Sequence, residues 1–318
     1  MLVDVRGGIP IGRRRGSPRP GGPATDGLLI VGHGSRCAVA VDQVRAIADL
    51  VAAAPELDGV AVDVGFLEMS DPPAGPVLDR LVARGCRRIV VLPLMLLAAG
   101  HGKSDVPAVV LEGRERHPDV DIVFGSPFGV VHDLVDIAGD NLARVGGDGL
   151  PLLVIARGTS DPDANAEAHK AGRLVAEWSK APFAQTGFTG VTTPLVPDAL
   201  EMCRRLGADR LAVFFWFLCH GKLIERARDD MATFAADSGV ELVDAGYLGP
   251  DPRLVPTMVA RYREALDGRP TLNCDTCSYR LPFPGHEDRV GQPAGVGHSH
   301  LAAEHRHGHD HGHGHHHH

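Results

Sequence analysis

GLLIVGHGSRCAVAV (27–41) decides the fold once it is set beside PLLVIARGTSDPDAN (151–165). In both stretches an aliphatic run ends in a Gly-hydroxyl turn and passes into a helix-like segment. A short run of Leu, Ile and Val bounded by turn residues reads as a strand buried on both faces. Working outward, a helix near Val39–Ala54 leads to the strand VAVDVGFLE (60–68), and a helix near Pro73–Arg84 leads to RRIVVLPLMLL (87–97). A helix near Asp105–Arg116 leads to VDIVFGSPFG (120–129), and a last helix lies near Asp133–Arg144. Strands alternating with helices predict a parallel sheet covered on both faces. GGDG (146–149) is the joint, and the pattern then repeats: GFTGVTTP (187–194) echoes GFLEMSDP (65–72), and RLAVFFWFLCHGK (210–222) echoes RIVVLPLMLLAAGHGK (88–103). The fold class is therefore α/β, with two tandem doubly wound parallel-sheet units. The divisions are an Arg/Gly/Pro-rich disordered extension over 1–26, a unit over 27–146, a second over 150–268 and a Cys- and His-bearing tail over 269–318.

Composition narrows the function. A net charge of −8 argues against a nucleic-acid binder, and 5% aromatic content disfavours base-stacking platforms. No apolar run approaches the ~20 residues of a membrane span. The first 26 residues lack the apolar segment of a signal peptide, and six cysteines in 318 residues do not form a secreted disulfide framework. The expected location is the cytoplasm.

Ligands of parallel α/β sheets bind beyond the carboxyl ends of the strands. His33, Glu68 and His101 each fall at such an end in the first unit, in VGHG, GFLE and LLAAGHG. Two imidazoles and a carboxylate suit Zn²⁺, Co²⁺, Ni²⁺ or Fe²⁺, with coordination positions left for a substrate. A single such histidine is ordinarily a hydrogen-bonded structural residue; two Gly-His-Gly turns with a carboxylate between them favour a functional site. The second unit sharpens this. There Arg157 replaces His33, Gly190 replaces Glu68, and His220 remains. Ligands needed only to hold the fold would stand in both copies. LAAGHGKS (97–104) ends like a phosphate-binding loop, but Leu97 occupies its first glycine position, so no NTP site and no ATP requirement are read from it.

At these residues the sequence resembles the CbiX family of sirohydrochlorin chelatases in its long, two-unit form. The blocks that carry the likeness are LLIVGHGSR, VGFLEMSDPP, VVLPLMLLAAGHGKSDVP and ARGTSDPDAN, over about residues 27–268, with CDTCSYRLPFPG in the tail. The resemblance implies a class II chelatase fold, with the two α/β units facing across a cleft, and ATP-independent insertion of Co²⁺, or in some members Fe²⁺, into sirohydrochlorin. It places the metal-site histidines on His33 and His101 and the acidic residue on Glu68. In the mechanism these residues permit, the macrocycle settles over the ion and loses two pyrrole protons, one of them to a histidine, with His33 favoured. The substrate is a polycarboxylate, so Arg36, Lys103, Arg157 and Lys222, together with Ser35 and His220, are the candidate substrate-binding residues. For the cations the competing reading is solvated surface charge. Ser35 and Thr159 fit helix capping equally well.

In the tail, Cys274 and Cys277 form a C-x-x-C, a pair that can ligate an iron–sulfur cluster, bind zinc or cycle as a dithiol; the resemblance implies a [4Fe–4S] cluster, for which further thiolates would come from Cys37, Cys86, Cys203, Cys219 or a second subunit. Free thiols are the alternative. Histidine accounts for 11 of the last 21 residues, a composition that binds Ni²⁺, Co²⁺ or Zn²⁺; the terminal HHHH is also what an expression tag looks like. The favoured function is cobalt insertion for cobalamin biosynthesis. The alternatives are ferrochelatase action in siroheme biosynthesis and a non-catalytic cobalt or nickel storage protein. A metal-dependent hydrolase lacks a separate nucleophile or oxyanion motif.

Overall fold

The structure, a computed structural model, describes residues 25–272. The expected extension over 1–26, except for its last two residues, and nearly all of the tail, with Cys274, Cys277 and the histidines, lie outside the described residues. In the first half β1 (Thr25–Gly32), β2 (Ala61–Phe66), β3 (Cys86–Pro93) and β4 (Asp121–Phe124) form a parallel sheet in the order β2-β1-β3-β4. In the second, β5 (Leu152–Ala156), β6 (Ala184–Phe188), β7 (Arg210–Phe215) and β8 (Glu241–Tyr247) repeat it as β6-β5-β7-β8. Consecutive side chains of a strand point to opposite faces, and both faces here are covered. Leu28 and Ile30 of β1 enter one core while Leu29 and Val31 enter another; Leu152 and Val154 of β5 are divided from Leu153 and Ile155 in the same way.

Three cores result. The outer face of the first sheet packs on α2 (Ala74–Ala83) and α3 (Val106–Arg116), and that of the second on α6 (Val196–Arg205) and α7 (Lys222–Ser238). A shared central core joins the inner faces through α1 (Ala38–Ala52), α4 (His132–Arg144), α5 (Pro162–Ser179) and α8 (Leu254–Leu266). Burial of a side chain such as Leu254, Met258 or Val259 there stabilises by ~1.5–3 kcal/mol.

The order of elements follows the sequence repeat, but the last helix of each unit crosses over. α4 packs on α5 and β8 of the second half, and α8 packs on α1 and β3 of the first. Polar contacts fix the exchange. Asn141 Nδ2 donates to the Tyr247 carbonyl at 3.0 Å, Trp178 Nε1 to Asp136 Oδ1 at 2.9 Å, and Arg261 Nη2 to the Phe128 carbonyl at 2.6 Å. A β-carbon at Gly139 would overlap the Trp178 ring, so α4 and α5 can approach this closely only with glycine there. Among the described residues no helix is long and apolar enough to cross a membrane.

Several boundaries differ from the sequence reading. β3 stops at Pro93, and the apolar residues that continue its run in the sequence serve the space between the sheets instead: Leu94 is buried in the central core, with Leu96 and Leu97 packed against it. His101 consequently does not stand on a strand tip. It opens a π-helical turn, His101–Asp105, that runs into α3.

Candidate metal centre

The turn after β1 explains why a histidine stands between two glycines. Gly34 has a φ of +97°, in the region that only glycine enters without penalty, and a β-carbon there would overlap the Glu68 carbonyl oxygen. The loop after β2 runs directly against this turn. Leu67 N–H donates to the Gly32 carbonyl at 3.0 Å and Glu68 N–H to the His33 carbonyl at 3.1 Å. Ser70 Oγ accepts from Ser35 N–H at 2.9 Å and donates to the Ser35 carbonyl at 3.0 Å. His33 and Glu68 are thus held backbone to backbone, and their side chains meet with Nε2 and Oε1 3.4 Å apart.

His101 arrives from the π-helical turn. Its Nε2 lies 3.0 Å from His33 Nε2, with the two rings edge to face at an interplanar angle of 86°. Each imidazole spends its other nitrogen on an acceptor. His101 Nδ1 donates to Asp105 Oδ2 at 2.5 Å, and His33 Nδ1 faces the Gly34 carbonyl at 3.1 Å. A carboxylate and a carbonyl can only accept, so the hydrogen-bond partners assign the protons to both Nδ1 atoms. Both Nε2 lone pairs are then aimed at the same place, beside the Glu68 carboxylate. Two facing lone pairs repel unless a proton or a cation lies between them. The proton is disfavoured: burial, the neighbouring positive charge of His101 when protonated, and Arg157 hold the His33 pKa below the ordinary 6.5, against the opposing pull of the Gly34 carbonyl and Glu68. Histidines that ligate metal ions characteristically donate the second ring nitrogen to a carboxylate or a backbone carbonyl, as both do here.

Among the described residues no group of three or more His, Cys, Asp or Glu side chains is spaced as a ready-made metal cage. His33, His101 and Glu68 form a contacting cluster instead, with an imidazole separation set by hydrogen bonding. Its donor types and tautomers suit a divalent ion, and an incomplete set suits one that must be handed on.

The remaining predicted residues separate by placement. Arg157, exposed at the end of β5, acts electrostatically on His33 from the other half. Arg36 and Lys222 are exposed at the starts of α1 and α7. Ser35 Oγ accepts from Cys37 N–H at 3.0 Å and Thr159 Oγ1 from Asp161 N–H at 3.2 Å, so both hydroxyls fasten turns. The His220 ring is taken up by Glu225 at 3.0 Å, while its backbone N–H donates to Gln43 Oε1 of α1 at 2.7 Å. Lys103 is a correction. Its side chain is only 3% exposed and its ammonium bonds Asp161 Oδ2 at 2.7 Å and Asp163 Oδ2 at 3.3 Å, so it spans the two halves and does not face a substrate. Cys86 and Cys203 lie in the outer cores and burial raises both thiols, Cys203 to about 12; the Cys219 thiol is pushed up to about 12 by the same cause. Thiolate ligation by these three is disfavoured.

Sequence reasoning missed Asp105, Gln43, Asp161 and Asp163. Only Asp105 carried a readable signal, since HGKSD sets a carboxylate four residues after a histidine, on the same helical face.

With this geometry established, the comparisons are informative. The CbiX family model matches residues 27–145 and again residues 151–265. A sirohydrochlorin cobaltochelatase of Priestia megaterium is 36% identical over 278 residues, covering 84% of this chain and 89% of that protein. A sirohydrochlorin ferrochelatase of the same organism is 28% identical over 227 residues, covering 70% and 84%. Among solved structures, SirB from Bacillus subtilis with Fe³⁺ superposes with a TM-score of 0.68 at 23% identity, covering 76% of this chain and 95% of that one. SirB in complex with cobalt gives 0.65 at 24% identity, covering 76% and 96%. At such identities the two structures establish the shared fold.

Proposed function

This chain belongs to the CbiX family, and on that premise we propose that it is a cytoplasmic, ATP-independent sirohydrochlorin chelatase, with Co²⁺ as its favoured metal. The observation that carries the reading is the pair of Nε2 atoms 3.0 Å apart, each with its Nδ1 committed to an acceptor, beside a carboxylate. His33 Nε2, His101 Nε2 and Glu68 Oε1 receive the ion. The unit over 27–146 carries the metal, and the unit over 150–268 supplies the facing wall and Arg157. Sirohydrochlorin, a polycarboxylate, lies between them with Arg157, Arg36 and Lys222 as counter-ions; Arg157 offers a planar two-pronged donor where the first unit has a ligand.

The chemistry exchanges one cation for two protons. As the ion moves to the four pyrrole nitrogens, the macrocycle releases two N–H protons. One enters the space between the two Nε2 lone pairs, where His33 accepts it, and the other leaves to Glu68 or to water. The lowered pKa of His33 keeps that proton loosely held, which returns the site to its metal-binding form. No nucleotide is needed, because the product has four nitrogen ligands in place of two imidazoles and a carboxylate.

Cobalt is favoured over iron because the cobaltochelatase relative is more similar over more of the chain and because nitrogen-rich sites bind Co²⁺ more tightly than Fe²⁺. Ferrochelatase action in siroheme biosynthesis is the second reading, favoured by the ferrochelatase relative. The test is anaerobic incubation of the full chain with sirohydrochlorin and either Co²⁺ or Fe²⁺, followed by the visible spectrum of the tetrapyrrole. The expected result is faster insertion of cobalt, lost in His33→Ala and retained after deletion of the tail. Loss on tail deletion with His33→Ala active would instead support a storage protein.

A further inference from the structure

The half that lacks the metal ligands still reaches into the metal centre. Lys103 lies two residues after His101 in the same π-helical turn, and its ammonium is buried against Asp161 and Asp163 at the start of α5 in the second half. The group is nearly closed to solvent, with side-chain exposures of 3%, 7% and 4% for Lys103, Asp161 and Asp163. Asp161 divides its two oxygens. Oδ1 caps α5, accepting from Asp163 N–H at 3.0 Å and Ala164 N–H at 3.3 Å, while Oδ2 takes Lys103. The carboxylate is therefore fixed by a helix end before it meets the lysine.

The reciprocal contact does not form. Lys222 is the second-half counterpart of Lys103, and it is exposed. The first-half counterparts of Asp161 and Asp163 are Cys37 and Val39, which offer no carboxylate. The anchor exists in one direction only, toward the half that carries His33, Glu68 and His101. The turn it grips is unusual. A π turn is less favourable than an α turn and persists where its surroundings hold it, commonly at functional sites. Within it Ser104 Oγ bonds the Gly100 carbonyl and Asp105 Oδ1, both at 2.8 Å, and Asp105 Oδ2 holds the His101 ring. Release of Lys103 would let the turn relax toward α geometry and swing His101 away from His33.

We infer that Lys103, Asp161 and Asp163 are positioning residues: through this buried ion group the second half sets the orientation of His101 and so the metal affinity of the first. The inference rests on the reading of His33, Glu68 and His101 as the metal site.

The test uses the full chain and titrates Co²⁺ against a competing chelator, with thermal melting in parallel. The variants are His101→Ala, Asp163→Asn, and the triple Lys103→Met/Asp161→Asn/Asp163→Asn, in which Asn preserves the α5 cap. Binding by the His-rich tail is common to all four proteins, so the component that His101→Ala removes defines the site. In the triple variant that component is expected to weaken about tenfold or more, the scale of lost support behind a ligand, and in Asp163→Asn by roughly two- to threefold, a fraction of that scale. A merely structural group would lower the melting temperature and leave the affinity of the folded protein in place. Affinity unchanged in a cooperatively melting triple variant overturns the inference; if the triple variant does not fold, unchanged affinity in Asp163→Asn overturns it. If His101→Ala itself leaves Co²⁺ binding unaltered, the metal-site reading falls, and this inference with it.

Discussion

In the turn after β1, Gly34 has a φ of +97° and passes against the Glu68 carbonyl; in the turn after β5, Gly158 has a φ of +79° and passes against the Gly190 carbonyl. Leu67 N–H donates to Gly32 in the first half and Thr189 N–H to Ala156 in the second, both at 3.0 Å. The backbone device is therefore kept in both halves. The side chains it presents are not: His33 and Glu68 stand in one half, Arg157 and Gly190 in the other. His101 gives its Nδ1 to Asp105, whereas His220 gives its Nε2 to Glu225. The fold needs the glycine and the crossed loops, and it is indifferent to the imidazole. His33 and Glu68 are thus not required by the fold, which is why each occurs once, whereas the His101 position keeps a histidine in both halves and changes only its partner.

The comparison is most directly broken by exchanging equivalent histidines for alanine. His101→Ala is expected to lower kcat/KM for metal insertion by more than ~100-fold through loss of a ligand, while His220→Ala is expected to stay within ~3-fold, its ring serving a surface hydrogen bond. Equal losses would make the halves functionally alike. The glycines give the opposite pattern. Gly34→Ala and Gly158→Ala are each expected to destabilise by ~1–3 kcal/mol in denaturant unfolding, because both need a left-handed backbone and a close carbonyl. Stability lost in only one of them would mean the two turns are not the same device. Asp105→Asn should weaken Co²⁺ binding by roughly 10-fold with little change in melting temperature; unaltered binding would remove Asp105 from the site. Arg157→Gln should raise KM for the tetrapyrrole about tenfold with kcat nearly constant, as loss of one charge-assisted contact does, and a fall in kcat alone would contradict its place as a counter-ion.

The smallest effect concerns pH. In the proposed site neutral imidazole is the ligand, and the His33 pKa is held below its ordinary value chiefly by burial, so protonation of His33 should weaken the site at lower pH than it would for an ordinary histidine. Arg157 contributes to that lowering, so in Arg157→Gln the decline should begin at higher pH. A midpoint that does not move would place Arg157 too far from His33 to face it.

Much of this comparison was legible in the sequence, because duplication made each half a control for the other. The alternation of strand and helix and the contrast of His33 with Arg157 both follow from aligned residues. Three features were not legible. The apolar stripes of α4 and α8 say that these helices are buried but not against which sheet. Leu94–Leu97 look like more strand because apolar periodicity cannot distinguish a sheet interior from a seam between sheets. Lys103 looks like a substrate cation because its partners, Asp161 and Asp163, are close only in the folded chain.

The crossed helices α4 and α8 have one further consequence. Neither half owns all the pieces that close it, so a single unit on its own would leave an apolar sheet face bare and would need a twin to trade helices with. Joining two copies in one polypeptide makes that trade intramolecular. Once the copies are joined, they no longer have to be identical. One can give up its ligands and become a wall and an anchor for the other, and the exchanged helices keep it indispensable.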